Sequence, residues 1–82
     1  MEGEERRVRA FKDDLGRDWE VIVGRETWGT IVAILGSRNS ENPPRQAHLE
    51  VPSLGEGNRV ILEMAEEDLR ALLRDSVLKP AH

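Results

Sequence analysis

The segment from Trp28 to Leu35 is apolar on both sides of its backbone, and this pattern restricts the fold more than any other in the chain. In an extended segment, alternate side chains point to opposite faces. One side then carries Trp28, Val32 and Ile34, and the other carries Ile31, Ala33 and Leu35. Strands that read this way are buried on both faces. The segment therefore predicts a central strand, and Gly29 near its start indicates a bend or a close backbone approach.

The preceding segment, Trp19 to Gly24, predicts a second strand of the same sheet. It is rich in β-branched and aromatic residues, with Trp19, Val21 and Val23 on one face and Ile22 on the other. The short connector Arg25-Glu26-Thr27 favours a hairpin between the two strands. Gly24 to Thr30 has the glycine spacing of a phosphate loop but lacks its lysine, which favours the hairpin interpretation.

A single C-terminal helix is predicted over residues 65–77. Its apolar stripe recurs at helical spacing and consists of Leu69, Leu72, Leu73 and Val77. Acidic residues fill the first turn, where they complement the helix dipole, and Pro80 ends the chain's capacity for helix. Ala65 stands at the N-cap position, where Ser, Thr, Asp or Asn would stabilise the helix by about 1 kcal/mol.

The remaining segments predict strands and turns. Residues 6–12 read as a first strand in which Val8 and Ala10 share a face and Phe11 falls off the alternation. A turn follows over residues 13–18, and a long loop over 36–45. Strands are predicted over 47–51 and 60–64, with a Gly-containing turn at 53–58 between them. The fold class is therefore α+β: a four- or five-stranded antiparallel β-meander, curled or a half-barrel, with one C-terminal α-helix packed on one face.

The length of 82 residues predicts a single domain over 1–82, with frayed termini at 1–5 and 78–82. A domain this short has a small core, and the absence of cysteine removes disulfides and thiolate metal sites as sources of stability. Dimerisation is a remaining route to stability. The excess of arginine over lysine, ten against two, is typical of a small bacterial protein from a GC-rich genome.

The charge balance and the absence of long apolar runs set the expected location. The net charge is −4, which argues against a general affinity for nucleic-acid backbone. The longest apolar run, residues 31–35, is too short to span a bilayer, and the N-terminus has no signal-peptide pattern. We expect a cytoplasmic protein with no membrane association.

Catalytic patterns are weak, and we predict no enzyme, cofactor or metal. His48 and Glu50 share a strand face and could move a proton, but an exposed polar face is the simpler interpretation. Asp13, Asp14 and Asp18 miss the spacing of a calcium loop. No serine lies in a nucleophile elbow.

One helix can cover only one face of a sheet whose middle strands are apolar on both. The second face is then covered either by curling of the sheet or by a second copy of the chain. We therefore predict a non-catalytic protein–protein interaction or regulatory module, self-associating as a homodimer or binding another protein. The predicted contact residues are Ile22, Trp28, Ile31 and Leu35.

The alternative is a nucleic-acid-binding module. An arginine-rich first strand and the hairpin would supply its basic edge, with one aromatic for base stacking. Its residues are Arg7, Arg9, Phe11, Arg17 and Arg25. Neighbouring acids favour an edge-protecting role for these charges instead.

Overall fold

A five-stranded antiparallel sheet and two helices form the part of the chain that the structure, a computed structural model, describes: residues 8–26, 29–38 and 42–79. The elements in chain order are β1 (Arg9–Lys12), β2 (Asp18–Arg25), β3 (Ile31–Ser37), β4 (Arg45–His48), α1 (Leu54–Glu63), α2 (Glu66–Asp75) and β5 (Val77–Leu78).

The strands follow one another in space as they do in sequence, in the order β1-β2-β3-β4-β5. Every neighbouring pair is antiparallel. This confirms the antiparallel meander and the α+β class. The sheet is open, with β1 and β5 at its edges, so it does not form a closed barrel.

The turn between β1 and β2 confirms the reading of the aspartates as turn residues. The Asp13 carboxylate accepts hydrogen bonds from the backbone N–H groups of Leu15 at 2.9 Å and Arg17 at 2.8 Å. Gly16 has a φ of 80°, a left-handed conformation that glycine adopts without a Cβ clash. The side chain and the glycine together fix the path of the chain between the two strands.

The prediction of a strand at residues 60–64 is wrong, because residues 60–63 lie in α1 and Met64 is its C-cap. The two glycines and Asn58 resemble a turn, and the alternation of apolar residues around Ile61 resembles a strand. In the helix, Ile61 is buried at 1% exposure while Leu62 faces solvent at 39%. The N-cap of α1 is Ser53, whose side chain accepts a hydrogen bond from the backbone N–H of Glu56. This is a capping-box sequence, and it was the available signal for a helix.

The predicted C-terminal helix is present as α2, though it is one of two helices and it ends at Asp75. Ala65 is its N-cap and makes no side-chain capping bond, as the sequence indicates. Val77 and Leu78, predicted in the last turn and the frayed end, instead form β5 against Arg45 and Gln46. The fifth strand of the sheet is therefore this short segment.

The core lies between one face of the sheet and both helices. Its buried members are Phe11, Trp19, Val21, Ile31, Ala33, Leu35, Leu49, Ile61 and Leu69. Phe11 points into this core at 3% exposure, whereas Val8 is 41% exposed. The inward face of β1 is therefore that of Phe11, because its register pairs Phe11 with Trp19. The two helices cover the core face, and the opposite face of the sheet carries neither.

Candidate functional site

The face of the sheet opposite the helices is the candidate functional site, and we call it the helix-free face. The register places the even-numbered residues of β1 to β4 on it, because Ile22 pairs with Ile34, Val32 with His48, and Glu20 with Gly36. In β5 it places Val77, the partner of Gln46, on this face. Paired residues point to the same side of a sheet. The face consists of Ala10, Lys12, Asp18, Glu20, Ile22, Gly24, Val32, Ile34, Gly36, Gln46, His48 and Val77.

The centre of the helix-free face is apolar. Ile22 and Ile34 lie side by side on β2 and β3, and both are half-buried. The Ile34 side chain lies over Gly24, since a Cβ at Gly24 would come within 3.1 Å of the Ile34 Cδ1 atom. Val32 on the same face is only 2% exposed. Glycine at position 24 therefore lets the isoleucine pack flat against β2.

Polar groups border this apolar centre on both sides. On one side, Lys12 bonds Asp18 at 2.7 Å, and Arg38 bonds Glu20 at 3.2 Å. The hydrogen bond and the charge of Lys12 lower the pKa of Asp18. An apolar centre with a polar rim is the usual anatomy of a protein–protein interface.

On the other side of the centre, Glu26 accepts a hydrogen bond from the Gln46 amide at 3.2 Å. The Nε2 atom of His48 lies 3.9 Å from the same carboxylate. Glu26 therefore links the end of β2 to β4 through side-chain contacts. His48 is the last residue of β4, and Glu50 lies beyond the end of that strand. The carboxylate beside His48 is therefore that of Glu26, whereas the sequence predicted Glu50.

Of the four predicted contact residues, the structure places Ile22 on the helix-free face. Ile31 and Leu35 are on the opposite face, at 2% and 0% exposure beneath the helices, so their assignment to the face of Ile22 is wrong. Trp28 lies outside the described residues. Sequence reasoning missed Ile34, which takes the place of Leu35 beside Ile22.

The parity of the hairpin connector determines which residues of β3 share a face with Ile22. The last paired residues of the hairpin are Arg25 and Ile31, with five residues between them. An odd number of connecting residues keeps residues of the same parity on the same face of the sheet. The grouping of Val32 with Ile34 was right. The predicted connector Arg25-Glu26-Thr27 is also odd in length, so the sequence already indicated that this group joins Ile22, and the prediction overlooked it.

Two residues of the nucleic-acid alternative are used inside the fold. The Nη1 atom of Arg9 donates to the carbonyl oxygens of Ile61, Leu62 and Met64, at 3.2, 3.1 and 2.9 Å. A guanidinium here satisfies the last carbonyls of α1 and complements the negative end of its dipole. Phe11 is buried in the core and cannot stack on a base.

The other residues of that alternative do not form one basic edge. Arg17 bonds the Asp13 carboxylate at 2.9 Å, and Arg25 is exposed at the far end of β2. The strand between them separates the two arginines by about 26 Å along its length. Arg7 lies outside the described residues.

Within residues 8–26, 29–38 and 42–79, no group of three or more His, Cys, Asp or Glu side chains is arranged to hold a metal ion. Neither of the helices in this part of the chain is long and apolar enough to cross a membrane.

Comparison with protein-family models, with curated proteins and with solved structures finds no match to this chain.

Proposed function

We propose that this protein is a non-catalytic interaction module that self-associates through its helix-free face. The observation that carries the proposal is the pairing of Ile22 with Ile34 on a sheet face that neither described helix covers. Apolar surface of this kind gains about 25 cal/mol for each Å² that a partner removes from water. A second copy of the chain presents the same surface and is the simplest partner.

The charges around the apolar centre support a symmetric pairing. Arg38 and its partner Glu20 border one side of the centre, and Glu26 borders the other. In a symmetric dimer, the helix-free faces of two protomers would pack against each other. If the two-fold axis runs parallel to the line from Ile22 to Ile34, this pair of residues lies over the same pair in the second protomer. The same rotation would bring the Arg38 side of one protomer over the Glu26 side of its partner, as expected for a self-complementary contact.

The test is the solution mass of the full chain across a wide range of concentration, measured by light scattering and sedimentation. We expect a concentration-dependent dimer. Ile34→Glu places a charge at the centre of the contact and should give a monomer. The matched control is Leu62→Glu, because Leu62 is an exposed leucine on α1, 39% accessible, and its replacement should leave the dimer intact.

Ile22→Thr provides a second variant, because threonine keeps the β-branched shape and removes much of the apolar surface. Circular dichroism of each variant establishes that it is folded. The proposal fails if the unmodified protein is a monomer throughout, or if the glutamate at Leu62 dissociates it and the one at Ile34 does not. Salt-sensitive binding of DNA or RNA oligonucleotides by such a monomer would support the nucleic-acid alternative instead.

A further inference from the structure

A cleft on the helix side of the sheet brings together four arginines that are far apart in sequence. It lies between the β1–β2 turn, the start of β4 and the outer side of α2, and its volume is about 330 Å³. Its floor and walls include Trp19 and Leu73. We call it the arginine cleft, and its arginines are Arg17, Arg45, Arg70 and Arg74.

The charge of the arginine cleft is opposite to that of the whole protein. Its four arginines face two aspartates, Asp13 and Asp14, so the lining carries a net charge of +2, whereas the chain has −4. Low-dielectric walls concentrate such a local field and attract anions. The volume lies within the range of small-molecule sites, about 300–1,000 Å³.

Asp13 keeps its negative charge, which the net charge of +2 includes, but the hydrogen-bonding capacity of its carboxylate is already used within the fold. One oxygen accepts from the backbone N–H groups of Leu15 and Arg17. The other accepts from the Arg17 Nε atom and the Trp19 indole N–H, both at 2.9 Å. Within the described part of the chain, these bonds leave both terminal nitrogens of Arg17 without a hydrogen-bond partner.

Hydrogen bonds to the fold hold the arginines in place. Arg45 donates from Nε to the Ser76 hydroxyl at 2.7 Å and from Nη2 to the Ser76 carbonyl at 2.6 Å. Arg70 donates from Nε to the Lys12 carbonyl at 2.8 Å. Guanidinium groups ordered before binding lose less entropy when they clamp an anion.

Exposed carboxylates pair with two of the arginines, one from the lining of the cleft, Asp14, and one from outside it, Glu66. Arg74 pairs with Asp14 at 3.2 Å, and Arg70 pairs with Glu66 at 3.3 Å. Exposed pairs of this kind contribute little free energy and exchange readily for another anion. Among the described residues, Arg45 has no carboxylate partner.

We propose that the arginine cleft binds a small molecule carrying a doubly charged oxyanion, either a phosphate monoester or a dicarboxylate. Two negative charges match the net charge of the lining, and guanidinium groups bind both oxyanions through paired hydrogen bonds. An apolar body of the ligand packs against Leu73 and Pro43, which also line the cleft. The site is independent of the proposed self-association, because it lies on the helix side of the sheet.

The test is an NMR titration of the full chain with phenyl phosphate, inorganic phosphate and succinate, each at constant ionic strength. The reporter is the indole N–H signal of Trp19, which bonds Asp13 beside the cleft. The chain has two tryptophans, and the signal lost in Trp28→Phe identifies the other one. We expect a saturable shift of the Trp19 signal with phenyl phosphate or with succinate, and the tighter of the two identifies the oxyanion. A weaker response to inorganic phosphate than to phenyl phosphate would show that the apolar wall contributes.

Arg74→Gln and Arg59→Gln form a matched pair of variants. Each removes one exposed arginine from one surface ion pair, and Arg59 lies on α1 outside the cleft. We expect Arg74→Gln to weaken binding about tenfold, which is the loss of one charge-assisted hydrogen bond, and Arg59→Gln to leave it unchanged. Absence of a saturable Trp19 shift with both organic probes would overturn the proposal. Equal weakening by the two variants would also overturn it, because it would mean diffuse attraction to surface charge.

Discussion

At the residue scale, Asp13 is the centre of a hydrogen-bond network, because its carboxylate accepts four hydrogen bonds. Burial of the carboxylate by itself would raise its pKa. The hydrogen bonds from the Arg17 backbone, the Trp19 indole, the Leu15 backbone and the Arg17 side chain outweigh this effect and lower the pKa from 3.8 to about 2. The charged form is therefore favoured in the folded state, which links folding to ionisation of this group.

The sign of this linkage predicts acid sensitivity. Because the folded-state pKa lies below the ordinary value, Asp13 stabilises the protein above about pH 4, and this contribution is lost as the pH falls to about 2. The shift corresponds to about 2 kcal/mol. Asp13→Asn should cost at least about that much at pH 7, measured by urea unfolding, since it also leaves donors unsatisfied.

The pH dependence of the stability lost in Asp13→Asn shows whether the loss comes from the charge of the carboxylate or from the packing of the side chain. The difference between the unmodified protein and Asp13→Asn should shrink as the pH falls to about 2, where the carboxyl group is protonated in the unfolded chain and about half protonated in the folded protein. Asp14→Asn is the control, because Asp14 is 64% exposed and its pair with Arg74 should contribute less than about 1 kcal/mol. A loss of stability at Asp13 that is the same at both pH values would contradict the prediction.

At the scale of elements, the contact of α1 with the sheet depends on Gly57. A Cβ at this position would lie 2.9 Å from Val23 Cγ1 and 3.1 Å from Ile31 Cγ2. The glycine therefore allows the helix backbone to approach β2 and β3 closely. This explains why a residue that is unfavourable inside helices occupies the buried side of one.

Gly57→Ala and Gly55→Ala should change stability in opposite directions. Alanine at Gly57 must displace the sheet or the helix and should destabilise by about 1–3 kcal/mol, despite its higher helix propensity. Alanine at Gly55 meets only the Ser53 hydroxyl oxygen at 3.9 Å. It should be neutral or stabilise by up to about 1 kcal/mol. The measurement is thermal and urea unfolding of both variants. Stabilisation by Gly57→Ala would show that the helix does not pack this closely.

At the scale of the whole molecule, the sheet is open and both described helices pack on one of its faces, so the proposed partner would cover the other. If the partner is a second copy, folding and association are linked, and the midpoint of thermal unfolding rises with protein concentration. We expect a rise of about 3–6 °C for each tenfold increase in concentration of the unmodified protein.

The same measurement on variants ties this linkage to the proposed surface. Ile34→Glu should make the midpoint independent of concentration, whereas Leu62→Glu should preserve the slope. A midpoint that is independent of concentration in the unmodified protein, at concentrations where it is a dimer by mass, would show that association does not stabilise the fold.

Local patterns along the chain were sufficient for the antiparallel order of the first four strands, the β1–β2 turn and α2. Each of these leaves a signal within a few residues: alternation in β2, the aspartate and glycine of the turn, and the leucine spacing of α2. Such patterns indicate that one side of a segment is buried. They do not indicate which other element of the fold covers that side.

The helical state of α1 and the arginine cleft required the folded chain, which also showed that Ile22 shares its face with Ile34. The glycines of α1 disfavour helix locally, and packing of Gly57 and Ile61 on the sheet compensates. The shared face follows from the register, and the cleft joins Arg17 to Arg74 across most of the chain. These features arise from contacts between residues distant in sequence, and their energies are absent from any local pattern.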